Sequence, residues 1–528
     1  MNFGIEIGKI SSLVLTNIEL YEKLKIGRKQ TKMKKIIIIG GGIAGLSAGI
    51  YAQQAGFETE IYEKNSVVGG QCTGWDRKGY HIDNCIHWLT GTKKNTDLYK
   101  IWENVGALSN DVTILQPDSF YSVEREGEKI TLWKDLERTE NEMLALSPED
   151  KKEIKKFIAN TRMAESMKMP TEKAMDMMNI FEILQFGMSM GNMGKVVKEY
   201  GRINVGELSE RFKHPLLKAM IETFMAKEYL AYSLLVSYAT FTSGNGGIPE
   251  GGSRAMAGRM QQRFTDLGGK VYANTNVSRI KIGQSQSAEG IELADGRLVT
   301  GDYIICACDP DFTFHQLLDA SFMDKKLKAV YDDRKNNPVI SSFHVAFGVD
   351  GKLEELTETL LFECESLEIG TQTTNRMSLK NYAAYGPDMA PPGKTVIQSQ
   401  FIQYEQDYAY WEALAQDKTK YETKKMAVAK AVMQRIETKF PAYQGKLEIL
   451  DTWTPMTYHR YCNAYHGAYM SFISTISSQT TMFSGNIKGL DNVILGSQWQ
   501  MNPGGLPTAV IMGRFAVQRI LKKDKRKR

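Results

Sequence analysis

Residues 36–63 read IIIIGGGIAGLSAGIYAQQAGFETEIYE, and this stretch decides the fold. Four consecutive isoleucines without polar alternation predict a strand that is buried on both faces of a parallel sheet. A G-x-G-x-x-G turn over 40–45 follows, and the next twelve or so residues predict a helix. A second strand over 59–62 ends in an acid, Glu63. The stretch therefore predicts a βαβ unit.

The residues of this unit suit a dinucleotide. Gly40 permits the tight turn, Gly42 lets the backbone approach a pyrophosphate, and Gly45 lets the helix pack closely on the strand. The helix N-terminus adds unpaired N–H groups and a partial positive charge. Glu63 lies 23 residues after Gly40, near the spacing of the acid that binds a ribose hydroxyl. Because a carboxylate repels a 2′-phosphate, the unit predicts FAD or NAD rather than NADP.

Composition narrows the class of protein. The chain has 528 residues, which predicts two or three domains, and its hydrophobic content of 42% is that of a globular protein. The chain contains no run of 18 apolar residues, so no membrane span is predicted. Segments 1–35 and 522–528 each carry five more basic than acidic residues, which predicts either solvated termini or contact with anionic lipid. The sequence between these two segments does not resemble a nucleic-acid-binding surface, so nucleic acid is not an expected partner.

Cysteine and histidine usage argues against metal and disulfide chemistry. The six cysteines contain no CxxC pair, and the seven histidines contain no HExxH spacing. We expect reduced thiols in a cytoplasmic protein without a metal site. Residues 1–32 lack the layout of a signal peptide and are interpreted as a dispensable extension.

The order of segments predicts a Rossmann-like α/β domain with a parallel sheet, interleaved with an α+β substrate domain. The predicted segments are an N-terminal extension (1–32), the nucleotide domain (33–95), a helical, methionine-rich part of the substrate domain (96–235), the nucleotide domain again (236–310), the second part of the substrate domain (311–484) and a last part of the nucleotide domain with a basic tail (485–528).

A methionine-rich stretch interrupts the pattern. Nine methionines lie between 163 and 193, among isoleucine, leucine and phenylalanine. Adaptable apolar surface of this kind suits a substrate pocket, a lid or a helix that faces a membrane. A plain helical core is the alternative reading, and the pattern favours neither.

Three strand-to-helix junctions rich in glycine, at 40–45, 246–252 and 502–507, resemble the flavin-binding frame of the phytoene desaturase, carotenoid isomerase and retinol saturase family, which is related to the amine oxidases. A paired-glycine motif at 69–70 and the TPMT segment at 454–457 add to this resemblance. It covers nearly all of the chain from Met33 onward.

The resemblance implies FAD as cofactor and assigns residues to it. The positions that match the family's FAD contacts are Gly40, Gly42, Ile43, Ala44, Gly45, Glu63, Lys64, Gly69, Gly70, Gln71, Val277, Gly496, Gly504, Gly505, Leu506 and Thr508. The residues expected to face the flavin from the substrate side are Trp499, His466, Tyr465 and His87. The chain departs from the pattern at Gln71, at Cys85 and at Ser497, where relatives usually have arginine, glycine and an acid.

The implied activity is hydride transfer between flavin N5 and a carbon of a lipophilic substrate such as a polyene, retinoid or fatty-acid-like molecule. Desaturation, saturation and isomerisation of a C=C bond are all compatible with such a frame. The expected partners are this substrate, an electron donor or acceptor of unidentified class, and, as one reading of the apolar stretch and basic ends, a membrane surface. Two rival hypotheses are an amine-oxidising flavoenzyme and a non-catalytic carrier of the GDP-dissociation-inhibitor type.

Overall fold

The computed structural model describes residues 33–526, except 285–286, 354, 357–358 and 479–481. The predicted extension at 1–32 lies outside the described residues. Its strands, in chain order, are β1 (Lys35–Ile39), β2 (Glu58–Tyr62), β3 (Gly74–Arg77), β4 (Tyr80–Asp83), β5 (Leu89–Thr90), β6 (Ile114–Leu115), β7 (Ser119–Arg125), β8 (Glu128–Trp133), β9 (Gly246–Pro249), β10 (Lys270–Tyr272), β11 (Val277–Ile282), β12 (Ala288–Leu293), β13 (Leu298–Thr300), β14 (Tyr303–Cys306), β15 (Ser341–Val349), β16 (Thr359–Ile369), β17 (Gln372–Asn381), β18 (Thr395–Gln403), β19 (Leu447–Trp453), β20 (Asn486–Ile487) and β21 (Leu490–Leu495).

The α-helices of five residues or more among the described residues are α1 (Ile43–Gln54), α2 (Asp97–Asn104), α3 (Leu136–Leu146), α4 (Lys151–Ala164), α5 (Ile180–Ser189), α6 (Met193–Tyr200), α7 (Val205–Ser209), α8 (Pro215–Thr223), α9 (Ala231–Thr242), α10 (Gly252–Asp266), α11 (Lys325–Asp332), α12 (Glu405–Ala415), α13 (Lys418–Lys439), α14 (Pro455–Cys462) and α15 (Leu506–Arg526). Within this part of the chain, no helix combines the length and apolar composition that a bilayer span requires.

A six-stranded sheet carries the nucleotide-binding frame. Its order is β10-β2-β1-β14-β21-β20, and all of its pairs are parallel except the last. The isoleucines of β1 are buried, as the unbroken apolar run predicts. These strands come from three separated stretches of sequence, so the α/β class and the interleaved parallel sheet are confirmed, while the exact domain boundaries stay predictions.

Two helices that are far apart in sequence meet on this sheet. A Cβ on Gly513 of α15 would lie 2.2 Å from the carbonyl oxygen of Ala44 in α1, so a side chain there would separate the two helices. The Ser47 hydroxyl of α1 donates to the carbonyl oxygen of Val510 at 2.6 Å. The last helix of the chain is thereby fixed beside the first.

A seven-stranded sheet of order β19-β15-β18-β17-β16-β7-β8 forms the second layer. One of its faces packs against α12 and α13 through a core that includes Phe343, Trp411 and Val432. Strands β7 and β8 form a hairpin within 96–235, a stretch predicted to be helical. The prediction overlooked it because a short hairpin among charged residues gives little periodic signal. A helical layer built from α3, α4, α8 and α9 covers this hairpin.

Candidate active site

One continuous cavity of about 610 Å³ lies between the two layers. Residues at the carboxyl ends of the parallel strands form its first end, and the inner face of the seven-stranded sheet forms its far wall. Ligands of open α/β sheets bind outside the carboxyl ends of the strands, so this is where a nucleotide is expected.

The first glycine motif takes up the predicted geometry. Gly40 has φ +98°, in the region that favours glycine. A Cβ on Gly45 would lie 2.0 Å from the Gly40 carbonyl oxygen, so the close approach of α1 to the turn requires glycine. Glu63 is buried at the end of β2; its Oε2 accepts the Gly41 N–H at 2.8 Å, and its Oε1 accepts the Asn65 N–H at 2.9 Å. The acid is therefore held against the glycine turn.

The paired-glycine motif lies directly beside this turn. Gly69 and Gly70 have φ +113° and +59°, and the Gly69 N–H donates to the Gly41 carbonyl oxygen at 2.9 Å. A Cβ on Gly69 would lie 2.3 Å from the Cys72 carbonyl oxygen. The two motifs together leave a cleft walled by backbone, which fits the extended diphosphate of FAD.

The C-terminal junction lines the same cavity. Gly504 and Gly505 have φ +88° and +87°, and α15 begins next to them at Leu506. The N-terminus of this helix opens onto the cavity, so its dipole favours negative charge there. Gln498 fixes the turn by accepting the Gly505 N–H at 2.7 Å.

The middle junction differs from the prediction. Gly246 and Ile248 line the cavity, but the turn that follows is closed by a buried side chain. Asp83 accepts the Ser253 N–H at 2.6 Å and the Ser253 hydroxyl at 2.7 Å, at the N-terminus of α10. The Ser253 N–H at this helix start therefore bonds to Asp83 rather than to a ligand.

The other residues assigned to FAD divide into two groups. Ile43, Ala44, Lys64, Gln71 and Val277 line the cavity. Gly45, Gly496 and Thr508 do not, and they position the backbone by close packing.

Of the four substrate-side candidates, the cavity contains two. Trp499 and His87 line it. Tyr465 and His466 do not: their rings stack at 3.9 Å, and His466 Nδ1 lies 3.1 Å from Glu405 Oε1. The sequence analysis expected both residues to face the flavin, whereas His466 is paired with Glu405.

His87 is neutral at physiological pH. Burial, and to a smaller extent the positive charge of Lys380, lowers the pKa of His87 to about 3. The ring is packed edge-on against Tyr382, with 6.3 Å between centroids. It can therefore offer a hydrogen bond without adding a charge to the cavity.

Sequence reasoning missed the polar residues of the far wall. These residues, which alternate with core residues along β15 to β18, are Ser342, His344, Thr359, Ser378, Lys380, Gln398 and Gln400. The signal for them was the alternation itself, which reads the same for a strand that faces water.

Asp309, at the carboxyl end of β14, is the other missed residue. Its carboxylate accepts the N–H groups of Tyr465 and Asp311 at 2.8 Å each and the Tyr331 hydroxyl at 3.1 Å. Burial nevertheless raises the pKa of Asp309 to about 7 from its ordinary value of 3.8. The loss of hydration outweighs the three donors.

We expect Asp309→Asn to alter the pH dependence of stability. Because the pKa is higher in the folded than in the unfolded chain, Asp309 stabilises the fold below about pH 4 and loses this contribution as pH rises through about 7. The unfolding free energy of the wild type should therefore fall relative to the variant by up to about 1.4 kcal/mol per pH unit over this window. Urea unfolding of both proteins from pH 4 to pH 8 measures this, and a constant difference contradicts it.

Comparison with known proteins agrees with a flavin-binding site in this cavity. The sequence pattern of the flavin-containing amine oxidoreductase family matches residues 43–521 of this chain. The 4,4'-diaponeurosporene oxygenase of Staphylococcus aureus is 24% identical over 356 residues, which are 64% of this chain and 68% of that protein.

Solved structures share the fold. An oxidoreductase from Methanosarcina mazei is 17% identical, with a TM-score of 0.57 over 92% of this chain and 99% of that chain. Wild-type putrescine oxidase bound to putrescine is 13% identical, with a TM-score of 0.57 over 93% and 99% of the two chains. The oxidoreductase hypothesis and its FAD cofactor are confirmed, and the carrier hypothesis is not supported. The chain belongs to the flavin-containing amine oxidoreductase family and is an FAD-dependent oxidoreductase.

Proposed function

We propose that this oxidoreductase acts on carbon–carbon bonds of a lipophilic substrate, by desaturation, saturation or isomerisation. The observation that carries the proposal is an aromatic lobe of the cavity, formed by Trp88, Phe120, Phe224, Tyr229 and Phe241. FAD supplies the two-electron redox chemistry when bound. The chain binds and orients the substrate and excludes water.

The lobe is a continuous packed surface. Phe120 lies 4.7 Å from Phe224, 5.2 Å from Phe241 and 5.3 Å from Trp88, measured between ring centroids. Aromatic faces of this kind hold apolar chains and polyenes through burial of area. Because the lobe and the glycine cleft belong to one cavity, an apolar chain in the lobe can extend toward the cofactor. The carotenoid-related name of the S. aureus relative supports the same substrate class.

Amine oxidation, the rival hypothesis, has less support from the lining. Among the described lining residues, the carboxylates are Glu63 and Asp309, and each is already engaged by backbone N–H groups. A substrate ammonium would therefore meet no carboxylate with unused acceptors in the aromatic lobe. A cationic head group in a low-dielectric cavity is costly without such a partner.

Anaerobic mixing tests the proposal. The purified holoenzyme is mixed separately with a polyene hydrocarbon, an unsaturated fatty acid, and a diamine, and the visible flavin absorbance is followed. Bleaching by a lipophilic substrate but not by the diamine is the expected result for an oxidative reaction. For a reductive one, flavin reduced by dithionite should be reoxidised by the lipid. Rapid bleaching by the diamine alone would overturn the proposal, and readmitting oxygen, a quinone or NAD(P)⁺ identifies the electron partner.

We also propose that helix α5 (Ile180–Ser189) is a membrane contact. None of its residues is buried, and Ile180, Phe181, Leu184 and Met188 are 63%, 78%, 57% and 76% exposed. At 100° per residue these four side chains share one face, so the helix is amphipathic with its apolar face outward. Such a face is unfavourable in water and suits the interface of a bilayer.

The surroundings of α5 support an anionic bilayer. The acids beside it are in ion pairs: Glu182 with Lys173, Glu172 with Arg514, and Asp176 with Arg519. Three neighbouring lysines, Lys168, Lys195 and Lys198, are exposed. The residues just before α5 are therefore tied to α15, and exposed lysines precede and follow the apolar face in sequence, a combination that suits anionic lipid.

A double variant, Phe181→Gln with Leu184→Gln, tests the membrane contact. We expect co-sedimentation with phosphatidylglycerol-containing vesicles to weaken at least roughly tenfold, because two large apolar side chains are lost from the interface. Flavin content should not change. The control replaces two exposed apolar residues elsewhere, Leu298→Gln with Met426→Gln, and should sediment as the wild type does. If both double variants lose vesicle binding equally, or if the Phe181→Gln, Leu184→Gln variant loses none, the proposal is contradicted.

A further inference from the structure

Two cysteines meet where the small sheet of β3 and β4 reaches the cavity. The two strands form an antiparallel pair. The Asn84 N–H donates to the Thr73 carbonyl oxygen at 3.0 Å, so the pairing continues past the ends of both strands. The next residues along the two segments are Cys72 and Cys85. The hairpin therefore brings the two cysteines together.

The backbone around both cysteines is fixed by further hydrogen bonds. The Cys72 N–H donates to the Gly69 carbonyl oxygen at 3.0 Å, which ties this cysteine to the paired-glycine motif. The side-chain amide of Asn84, the residue before Cys85, donates to the Gln71 carbonyl oxygen at 2.9 Å. The fold itself therefore holds the two segments side by side.

The two thiols are in contact. A hydrogen bond between them raises the pKa of Cys72 well above its ordinary value, and burial raises it further. Cys72 is 1% exposed and its sulfur lies 3.6 Å from the Ser253 carbonyl oxygen, whereas Cys85 is half-buried. Opposite residues of an antiparallel pair have Cα atoms roughly 4.5–5.5 Å apart, within the range that a disulfide spans. The position of the pair therefore suits a disulfide, although both residues are free thiols in this structure.

Both cysteines belong to the cavity that binds FAD. Cys72 and Cys85 line it together with the glycines of the first two motifs. Flavins and dithiols each exchange electrons in pairs, so a dithiol in a flavin cavity can give or take the same number of electrons as the cofactor.

Two further cysteines, Cys308 and Cys462, line the same cavity. The Cys308 sulfur lies 3.3 Å from the Thr313 hydroxyl. Cys462 is close enough to Cys85 for the charge of one to affect the pKa of the other. Cys462 is therefore the competing partner for Cys85.

We propose that Cys72 and Cys85 form a reversible disulfide that exchanges two electrons with FAD in this cavity. When the pair is oxidised, each thiol loses a proton, an S–S bond forms, and two electrons with two protons pass to oxidised FAD. In the reverse direction the reduced cofactor returns them, and the S–S bond breaks to give two thiols. Because Cys72 retains its proton at neutral pH, Cys85 is the sulfur that reacts first. The lipid substrate takes no part in either step, so this inference is independent of the proposed function.

Counting electrons tests the exchange. The holoenzyme is oxidised with diamide, freed of the reagent and titrated with dithionite in the absence of oxygen, while the visible flavin absorbance is followed. We expect full bleaching to need about four electrons per FAD, because the disulfide takes up about two of them through the flavin. Holoenzyme treated with dithiothreitol instead should need about two. If the diamide-treated protein also needs only about two, the proposal is wrong.

Peptide mapping identifies the bond. Trypsin cleaves after Arg77 and Lys78, between the two cysteines, so their disulfide joins peptides 65–77 and 79–93. After the free thiols are blocked, we expect this linked pair in the diamide-treated protein and its separate peptides at the end of the dithionite titration. A link from 79–93 to 461–488, the peptide that contains Cys462, overturns the assignment, and so does the absence of any link.

Variants assign the extra electrons to the pair. Cys85→Ser and Cys72→Ala should keep their flavin and need only about two electrons per FAD after diamide treatment. If Cys72→Ala fails to fold, Cys85→Ser decides the test, because it exchanges only a sulfur for an oxygen at a half-buried position. Cys364→Ser is the matched control, since Cys364 lies on β16 and does not line the cavity, and it should need about four electrons as the wild type does. A requirement for about four electrons in Cys85→Ser would overturn the proposal.

Discussion

Gly45→Ala should give a protein that purifies without flavin and whose unfolding free energy is lower by roughly 3 kcal/mol or more. The added Cβ would lie 2.0 Å from the Gly40 carbonyl oxygen and 3.3 Å from the Ala307 side chain. Gly40 and Ala307 directly follow β1 and β14, which hold their backbone in place, so α1 would have to move away from the glycine turn. Displacing the helix removes both the cleft and the helix dipole from the diphosphate.

The sign of this effect separates packing from helix propensity. In an exposed helix, glycine to alanine stabilises by up to about 1 kcal/mol. Gly258→Ala in α10 is the matched control, because no atom lies within 4 Å of the Cβ it would add. We expect this variant to keep its flavin, and we expect its unfolding free energy to rise by a fraction of that 1 kcal/mol. The ratio of flavin to protein absorbance and urea unfolding measure both effects, and a yellow, stable Gly45→Ala protein would contradict the account of the cleft.

Asp83→Ala should lower the unfolding free energy by about 3 kcal/mol or more. Asp83 is fully buried, and its carboxylate accepts hydrogen bonds from the N–H groups of Ser253, Cys85 and Ile86 and from the Ser253 hydroxyl. Alanine removes the acceptor of the Ser253 and Cys85 N–H groups, whereas the Ile86 N–H keeps the Ser253 hydroxyl at 3.0 Å. The loop that carries His87 and the start of α10 would both lose their anchor, so flavin content should fall with stability.

The carboxylate oxygens, rather than the volume of the side chain, account for this effect. Asp83→Asn retains one acceptor and brings an NH₂ group toward the remaining donors, so its loss should be intermediate. Asp295→Ala removes an exposed acid that pairs with Arg297 in the turn after β12, and its unfolding midpoint should match that of the wild type. If Asp83→Ala unfolded with the wild-type midpoint, the buried network would have no structural role.

The nucleotide end of the site could be predicted because its determinants are local. The isoleucines of β1, the glycines of the turn and Glu63 lie within 28 residues, and each imposes its own backbone or burial requirement. The hairpin over 288–300 also has local determinants, since Gly296 in its turn has a positive φ. The paired glycines at 69–70 became informative only beside the first turn, where Gly69 bonds to Gly41.

Other assignments depended on which distant segments meet. The glycines at 246–252 were expected to contribute a third junction of the flavin-binding frame, but the buried carboxylate of Asp83 accepts the Ser253 N–H at that helix start. His466 looked like a flavin neighbour, but Glu405 of another helix binds it. The methionine-rich stretch was compatible with either an exposed apolar surface or a plain helical core. None of the residues of α5 is buried, so the core interpretation does not hold for that helix.

By itself the sequence determined the βαβ unit, the cofactor class and the alternation of polar and apolar residues along β15 to β18. Alternation establishes that a strand has two unlike faces, but it does not distinguish bulk water from an enclosed cavity, since both accept polar side chains. Only the tertiary structure placed the polar face of these strands opposite the aromatic lobe. The physical reason is that the pairing of Lys380 with Gln398 and the packing of α12 and α13 behind the sheet are long-range contacts, and their free energy depends on the whole fold.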